Sequence, residues 1–264
     1  MKKVIIISAV LAAAVWAQDG RVTVPFSDPS RPKTVKARVL NGSITVTGYD
    51  GKDVVIDTRS GSDGRRDVPR KAEGLRRIDT GAFGITAEEQ DNVIQISGSH
   101  NQSMNLVIQV PLSTSLQLRA TNGGNITVEH VEGEIDVDNT NGGVKLLNVA
   151  GVVVAHALNG SVLVVMDRVQ SGKDMSFTSL NGDIDVTLPA DTKARVKMKS
   201  EHGDLFSDFD IKLEPSSATV TEGRSDKGKY RVRIDKSVVG TINGGGSDMQ
   251  FTTLNGRIFI RKKK

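Results

Sequence analysis

The chain of 264 residues contains no cysteine. Disulfides, thiolate metal sites and thiol nucleophiles are therefore excluded, and the fold must rest on burial and hydrogen bonding. Aromatic residues make up only 4% of the sequence, with one Trp (Trp16) and two Tyr (Tyr49 and Tyr230). Sugar binding usually relies on aromatic rings against which C–H faces pack, so lectin-like behaviour is disfavoured. The histidines, His100, His130, His156 and His202, are scattered, with no HExxH pattern and no close pair. The calcium-binding pattern GGxGxD is also missing. No metal or cofactor is expected.

Long apolar runs are confined to the start, MKKVIIISAVLAAAVWAQDG. Lys2 and Lys3 precede a run from Val4 to Val15 that is too short to span a bilayer comfortably. Val15 and Ala17 suit a small-residue cleavage site, so residues 1–17 read as a signal peptide cut before Gln18. The expected location is the periplasm, the outer surface or the medium. Without the signal the formal charge falls from +4 to +2, and the pI of 9.2 then says little about nucleic acid, which is not expected as a partner.

The strongest positive signal is internal repetition. LNGSITV begins at Leu40, LNGSVLV at Leu158, LNGDIDV at Leu180 and LNGRIFI at Leu254. TNGGNITV from Thr121 and TNGGVKL from Thr140 carry an extra glycine, and EHGDLF from Glu201 is a weaker copy. DMSFTSLNGDIDV (Asp174 to Val186) matches DMQFTTLNGRIFI (Asp248 to Ile260) at eight of thirteen positions. Asn122, Asn141, Asn159 and Asn181 follow one another at 19, 18 and 22 residues. Each period holds two short alternating segments of strand length.

A hairpin meander and a β-solenoid both fit such segments. Only the solenoid requires a turn sequence to return at a fixed interval, because like positions stack from coil to coil. The expected fold is therefore all-β: a single stack of short strands, parallel β-helix-like, with Asn-Gly corners. Those corners are Asn41, Gly42, Asn122, Gly123, Asn141, Gly142, Asn159, Gly160, Asn181, Gly182, Gly203, Asn255 and Gly256. Glycine suits them through its tolerance of φ > 0 and of close approach between coils. Ile126 and Val128, Val144 and Leu146, Val162 and Val164, and Ile184 and Val186 are expected to form internal ladders.

The expected organisation is N-terminal strands and a first coil over 18–58, an exposed basic loop over 59–84, and solenoid repeats over 85–264, with 18–264 as one continuous domain. The loop carries Arg65, Arg66, Arg70, Lys71, Arg76 and Arg77, a candidate site for anionic polymers or lipid headgroups. The terminal Lys262, Lys263 and Lys264 are expected to discourage end-to-end stacking at an exposed last strand.

A signal peptide, the strand pair NGSITVTGYDG, tandem NG-x-[IV]-x-V units and the segment NGDIDVTLPAD together resemble a bacterial cell-envelope family, a candidate adhesin domain of unknown function. The resemblance runs from about Val35 onward. It implies a solenoid-like envelope protein and no particular ligand.

Asp183 and Asp185 share one strand face, as do Glu134, Asp136 and Asp138. The copies replace the aspartate pair by Arg257 and Phe259, or by Ser43 and Thr45, so solvated face residues are expected rather than a metal or catalytic site. The reading is a non-catalytic structural or interaction module, its partner an unidentified envelope protein or surface polymer and its oligomeric state open. The alternative is a polysaccharide-active β-helix enzyme using Asp136, Asp185 and Arg195.

Overall fold

The computed structural model describes residues 16–18, 21–60, 84–98, 103–215, 219–224, 230–235 and 237–264. All regular structure among them is strand, and 21 strands join in one hydrogen-bonded network. The architecture is a β-solenoid. Six coils run along one sheet, turn at an Asn-Gly corner and return along a second sheet, and another turns at His202-Gly203. Ile44, Val46, Ile126, Val128, Val144, Leu146, Val162, Val164, Ile184 and Val186 point between the sheets and are buried. Their neighbours along each strand point outward, the alternation expected of a sheet with one face on a core. No charged side chain is buried among the described residues.

Sheet 1 takes the strand after the corner and sheet 2 the strand before it. Parallel pairing fixes the stack as coils 93–111, 34–49, 115–129, 132–147, 152–169, 175–188, 247–262 and 194–207. Only the centre follows chain order. Coil 34–49 lies between 93–111 and 115–129, and coil 247–262 lies between 175–188 and 194–207. The order of the stack thus departs from the order of the chain at both ends. The likeness of DMSFTSLNGDIDV to DMQFTTLNGRIFI has a direct cause: the two segments are neighbours in space, Phe177 paired with Phe251 and Ile184 with Ile258. Matched side chains pack in register down a parallel ladder.

Antiparallel strands close the ends. Sheet 1 is extended beyond Met104–Pro111 by Val54–Ser60, Arg21–Val24 and Trp16–Gln18. Sheet 2 is extended beyond Val93–Gly98 by Ile85–Gln90, and at the far end beyond Ala194–Ser200 by Val238–Ile242 and then Lys212–Leu213. The strand Trp16–Gln18 spans the expected cleavage point.

Lys262 and Lys263 sit on an inner coil, not a terminal one. Lys263 Nζ meets Asp167 at 2.6 Å, and Lys262 Nζ lies 5.1 Å from the Phe209 ring centre. Their expected role as guards of an exposed edge strand does not hold, because coil 194–207 covers that edge.

Candidate functional site

The corners form one continuous edge. Asn122 Nδ2 donates to Asn41 Oδ1 (3.2 Å), Asn141 to Asn122 (3.3 Å), Asn159 to Asn141 (2.9 Å), Asn181 to Asn159 (2.8 Å) and Asn255 to Asn181 (2.7 Å). All the amides point the same way along the stack. Beyond Asn255 the corner residue is His202, whose Nδ1 lies 3.3 Å from the Leu254 carbonyl oxygen.

Beneath this ladder runs a line of glycines: Gly42, Gly124, Gly142, Gly160, Gly182, Gly256 and Gly203. A Cβ at Gly124, Gly142, Gly160, Gly182, Gly256 or Gly203 would fall on the carbonyl oxygen of the glycine in the adjoining coil. Close approach is the reason for glycine here. Positive φ is not, since only Gly42 (φ 126°) in this line has it. Gly123 (φ 81°) is the extra residue of TNGGN and has open space around its Cβ position; Gly124 takes the place in the line. An inner row supports the same corner. Asn139 Nδ2 donates to Gly124 O (2.9 Å), Ser179 Oγ to Gly160 O (2.9 Å), Thr253 Oγ1 to Gly182 O (3.0 Å) and Ser200 Oγ to Gly256 O (2.8 Å). These side chains satisfy carbonyls of the half-buried glycines where coils pack closely.

The outward rows hold the polar chemistry. On sheet 1, Arg257 binds Asp183 (Nη2 to Oδ2, 2.7 Å), and its backbone N–H also donates to Asp183 Oδ1 at 2.8 Å. Arg261 grips Asp185 through Nε (2.8 Å) and Nη2 (3.0 Å). The Arg257 hydrogen bond holds the Asp183 carboxyl below its ordinary value of 3.8. These acids do face outward, but they are not free in water: the arginines of the adjoining coil hold them. Sequence copies showed the replacement of Asp by Arg or Phe, yet not that the copies touch.

Next in the same row, the Phe259 ring stacks on Phe206, 5.1 Å between centres and 10° between planes. The Arg257 and Arg261 guanidinium carbons lie 5.5 and 5.2 Å from the Phe259 centre. Phe206 is 48% exposed. An aromatic and guanidinium cluster of this kind is typical of protein contact surfaces. Sequence reasoning missed it because Phe206 and Phe259 meet only when coil 247–262 slots in beside coil 194–207.

On sheet 2, Arg119 pairs with Asp136 (2.6 Å), His156 Nδ1 lies 3.3 Å from Asp138, and Arg195 pairs with Glu214 (2.9 Å). Shallow grooves flank the half-exposed Val154, one lined by Gln117, Glu134 and Asp136, the other by Asp174, Arg195 and Asp248. The trio Asp136, Asp185 and Arg195 is not assembled: Asp185 stands on the opposite sheet, and each member has its own ion-pair partner. Arg65, Arg66, Arg70, Lys71, Arg76 and Arg77, with residues 61–83 as a whole, lie outside the described residues. Among the described residues no group of three or more His, Asp or Glu is placed to hold a metal ion.

No curated protein matches the chain. A crystal structure of a candidate cell adhesion protein from Clostridium sporogenes ATCC 15579 aligns over 92% of this chain and 99% of that one, at 12% identity and a TM-score of 0.48. The family model Toastrack DUF4097 matches residues 14–243. That span contains the Asn-Gly coils up to the final one. The chain belongs to the Toastrack DUF4097 family.

Proposed function

We propose that this chain is an exported interaction module of the bacterial envelope, adhesin-like and without catalysis of its own, that meets its partner through the flat outer rows of the solenoid. The observation that carries this reading is the cross-coil pairing of Asp183 with Arg257 and Asp185 with Arg261. The carboxylates best placed by sequence for chemistry are neutralised by fixed arginines on a flat face, not gathered in a cleft. The same arginines flank Phe259, which stacks on the exposed Phe206, giving sheet 1 a surface with an apolar centre and a charged rim.

The test is recovery of partners from an extract of the producing cell's envelope, with the purified chain as bait. The Phe206→Ser, Phe259→Ser double variant removes the sheet 1 cluster, and Val154→Lys alters sheet 2. Loss of a reproducible partner with the first variant and its retention with the second supports contact through sheet 1. Equal recovery with both would sink that assignment. Reproducible cleavage of envelope polysaccharide by the wild-type chain, abolished in Asp185→Ala, would instead favour the enzyme.

A further inference from the structure

Among the described residues, three of the four sheet ends carry an antiparallel closing strand and the fourth does not. Sheet 1 ends at Leu205–Ser207, a short strand that pairs with Ile258–Lys262 on its inner side. Among the described residues no strand pairs with its outer side. Phe206 stands exposed on this strand, and Leu213, a few residues on, is 65% exposed. The described structure also contains a hairpin whose strands pair only with each other. Thr219–Arg224 and Tyr230–Asp235 are antiparallel partners and form a separate two-stranded sheet.

Chain connectivity says where that hairpin belongs. It starts after Lys212–Leu213, the outermost strand of sheet 2, and ends before Val238–Ile242, which lies next to Ala194–Ser200. Both of its roots are at the Asn-Gly edge: Val238 pairs with Met198, close to the His202 corner, and Glu214 N–H donates to Val239 O at 2.9 Å. Each coil whose corner is described crosses that edge from one sheet to the other within a single layer. By the same rule, Tyr230–Asp235 continues the layer of Val238–Ile242, and that layer on sheet 1 is the vacant one beside Leu205–Ser207. Thr219–Arg224 continues the layer of Lys212–Leu213, one step further out. Val238–Ile242 runs away from the edge, so Tyr230–Asp235 runs towards it, antiparallel to Leu205–Ser207. The sequence YRVRID alternates as a strand with one face on a core does.

We propose that the open edge of Leu205–Ser207 is a strand-accepting site and that its occupant is the chain's own hairpin, with Tyr230–Asp235 inside and Thr219–Arg224 outside. Sheet 1 then ends as sheet 2 does, and an edge that would otherwise template pairing with another chain is filled. A foreign strand pairs with the edge of Leu205–Ser207 only by displacing the hairpin.

Backbone direction supplies the test. Ile258 N–H donates to Asp204 O at 3.0 Å and Asp208 N–H to Ile260 O at 2.9 Å, so the intervening Leu205 and Ser207 N–H groups face the open side. Amide hydrogen exchange on the full chain is expected to show both slowed at least about tenfold relative to free peptide, independent of protein concentration. Val232→Pro, which removes a strand donor, is expected to release them while the Phe177 and Phe251 amides stay protected. Free exchange of Leu205 and Ser207 in the wild type overturns the proposal. So does protection that rises with concentration, which means a second copy, or protection that survives Val232→Pro. Should that variant not fold, Phe206→Cys is combined in turn with Arg231→Cys, Val232→Cys and Arg233→Cys in this cysteine-free chain. A disulfide within monomers is expected for at least one pair; disulfides only between chains, or none, overturn the proposal.

Discussion

The Phe177 and Phe251 rings stack 5.0 Å apart at 20°, each fully buried, although the chain builds coil 194–207 and two antiparallel strands of sheet 2 between them. The contact ties the last coil to the middle of the stack.

Removal of either ring is therefore expected to be costly. Phe177→Ala and Phe251→Ala should each lose about 3–5 kcal/mol in urea unfolding, and the double variant less than the sum because the residues share one packing site. Full additivity would mean that the rings do not share a cavity.

The glycine line makes a sharper prediction about the corner. Gly182→Ala should destabilise strongly, since its Cβ meets the backbone of Gly160 and no flexible side chain can give way. Gly123→Ala should cost only about 1–2 kcal/mol, the strain of a left-handed backbone in open space. Asn181→Ala breaks two amide rungs and should cost about 1–3 kcal/mol. Melting temperatures of the three variants give the order, and a larger loss at Gly123 than at Gly182 would contradict the packing explanation.

The Asp183–Arg257 pair predicts an acid limb. Its carboxyl is held below 3.8 in the folded chain, chiefly by the Arg257 hydrogen bond. A depressed carboxyl contributes stability above its unfolded value, and that contribution is lost as the pH falls through the folded value. Asp183→Asn should therefore flatten the fall in stability below pH 3.8, with little change in slope above it. Melting curves across the acid range decide this; parallel wild-type and variant curves would show that the pair does not report on folding.

A chain truncated after Gly246 loses the strands Ser247–Thr253 and Ile258–Lys262. It should unfold without a cooperative transition, because Phe177, Ile184 and Val186 lose their covering layer and Ala194–Ser200 loses its parallel neighbour. Circular dichroism melts test this. A sharp, near-wild-type transition would show that the last coil is dispensable.

The corners and the inward ladders were legible in the sequence because both are periodic: Asn181-Gly182 recurs as Asn255-Gly256, and Ile184 as Ile258. The order of the stack was not legible. Periodicity says which side chains point inward, but not which coil lies against which. The arginine clamps on Asp183 and Asp185 and the Phe206–Phe259 pair all depend on that order. The role of Gly182 was only half visible for the same reason: the carbonyl it must clear belongs to another coil.

The interleaved ends have a kinetic consequence. An ordinary solenoid can grow by nearest-neighbour addition from any nucleus. Here a chain emerging N-terminus first cannot finish either end in order. Coil 34–49 waits for both of its flanks, and coil 194–207 has no seat until the final coil arrives. Among the described coils, those over 115–188 form the only run that can zip up sequentially, so they are the expected nucleus. Completion then needs a closure of high sequence separation, the slow kind. The stack is clasped by a segment made after both of the coils it lies between.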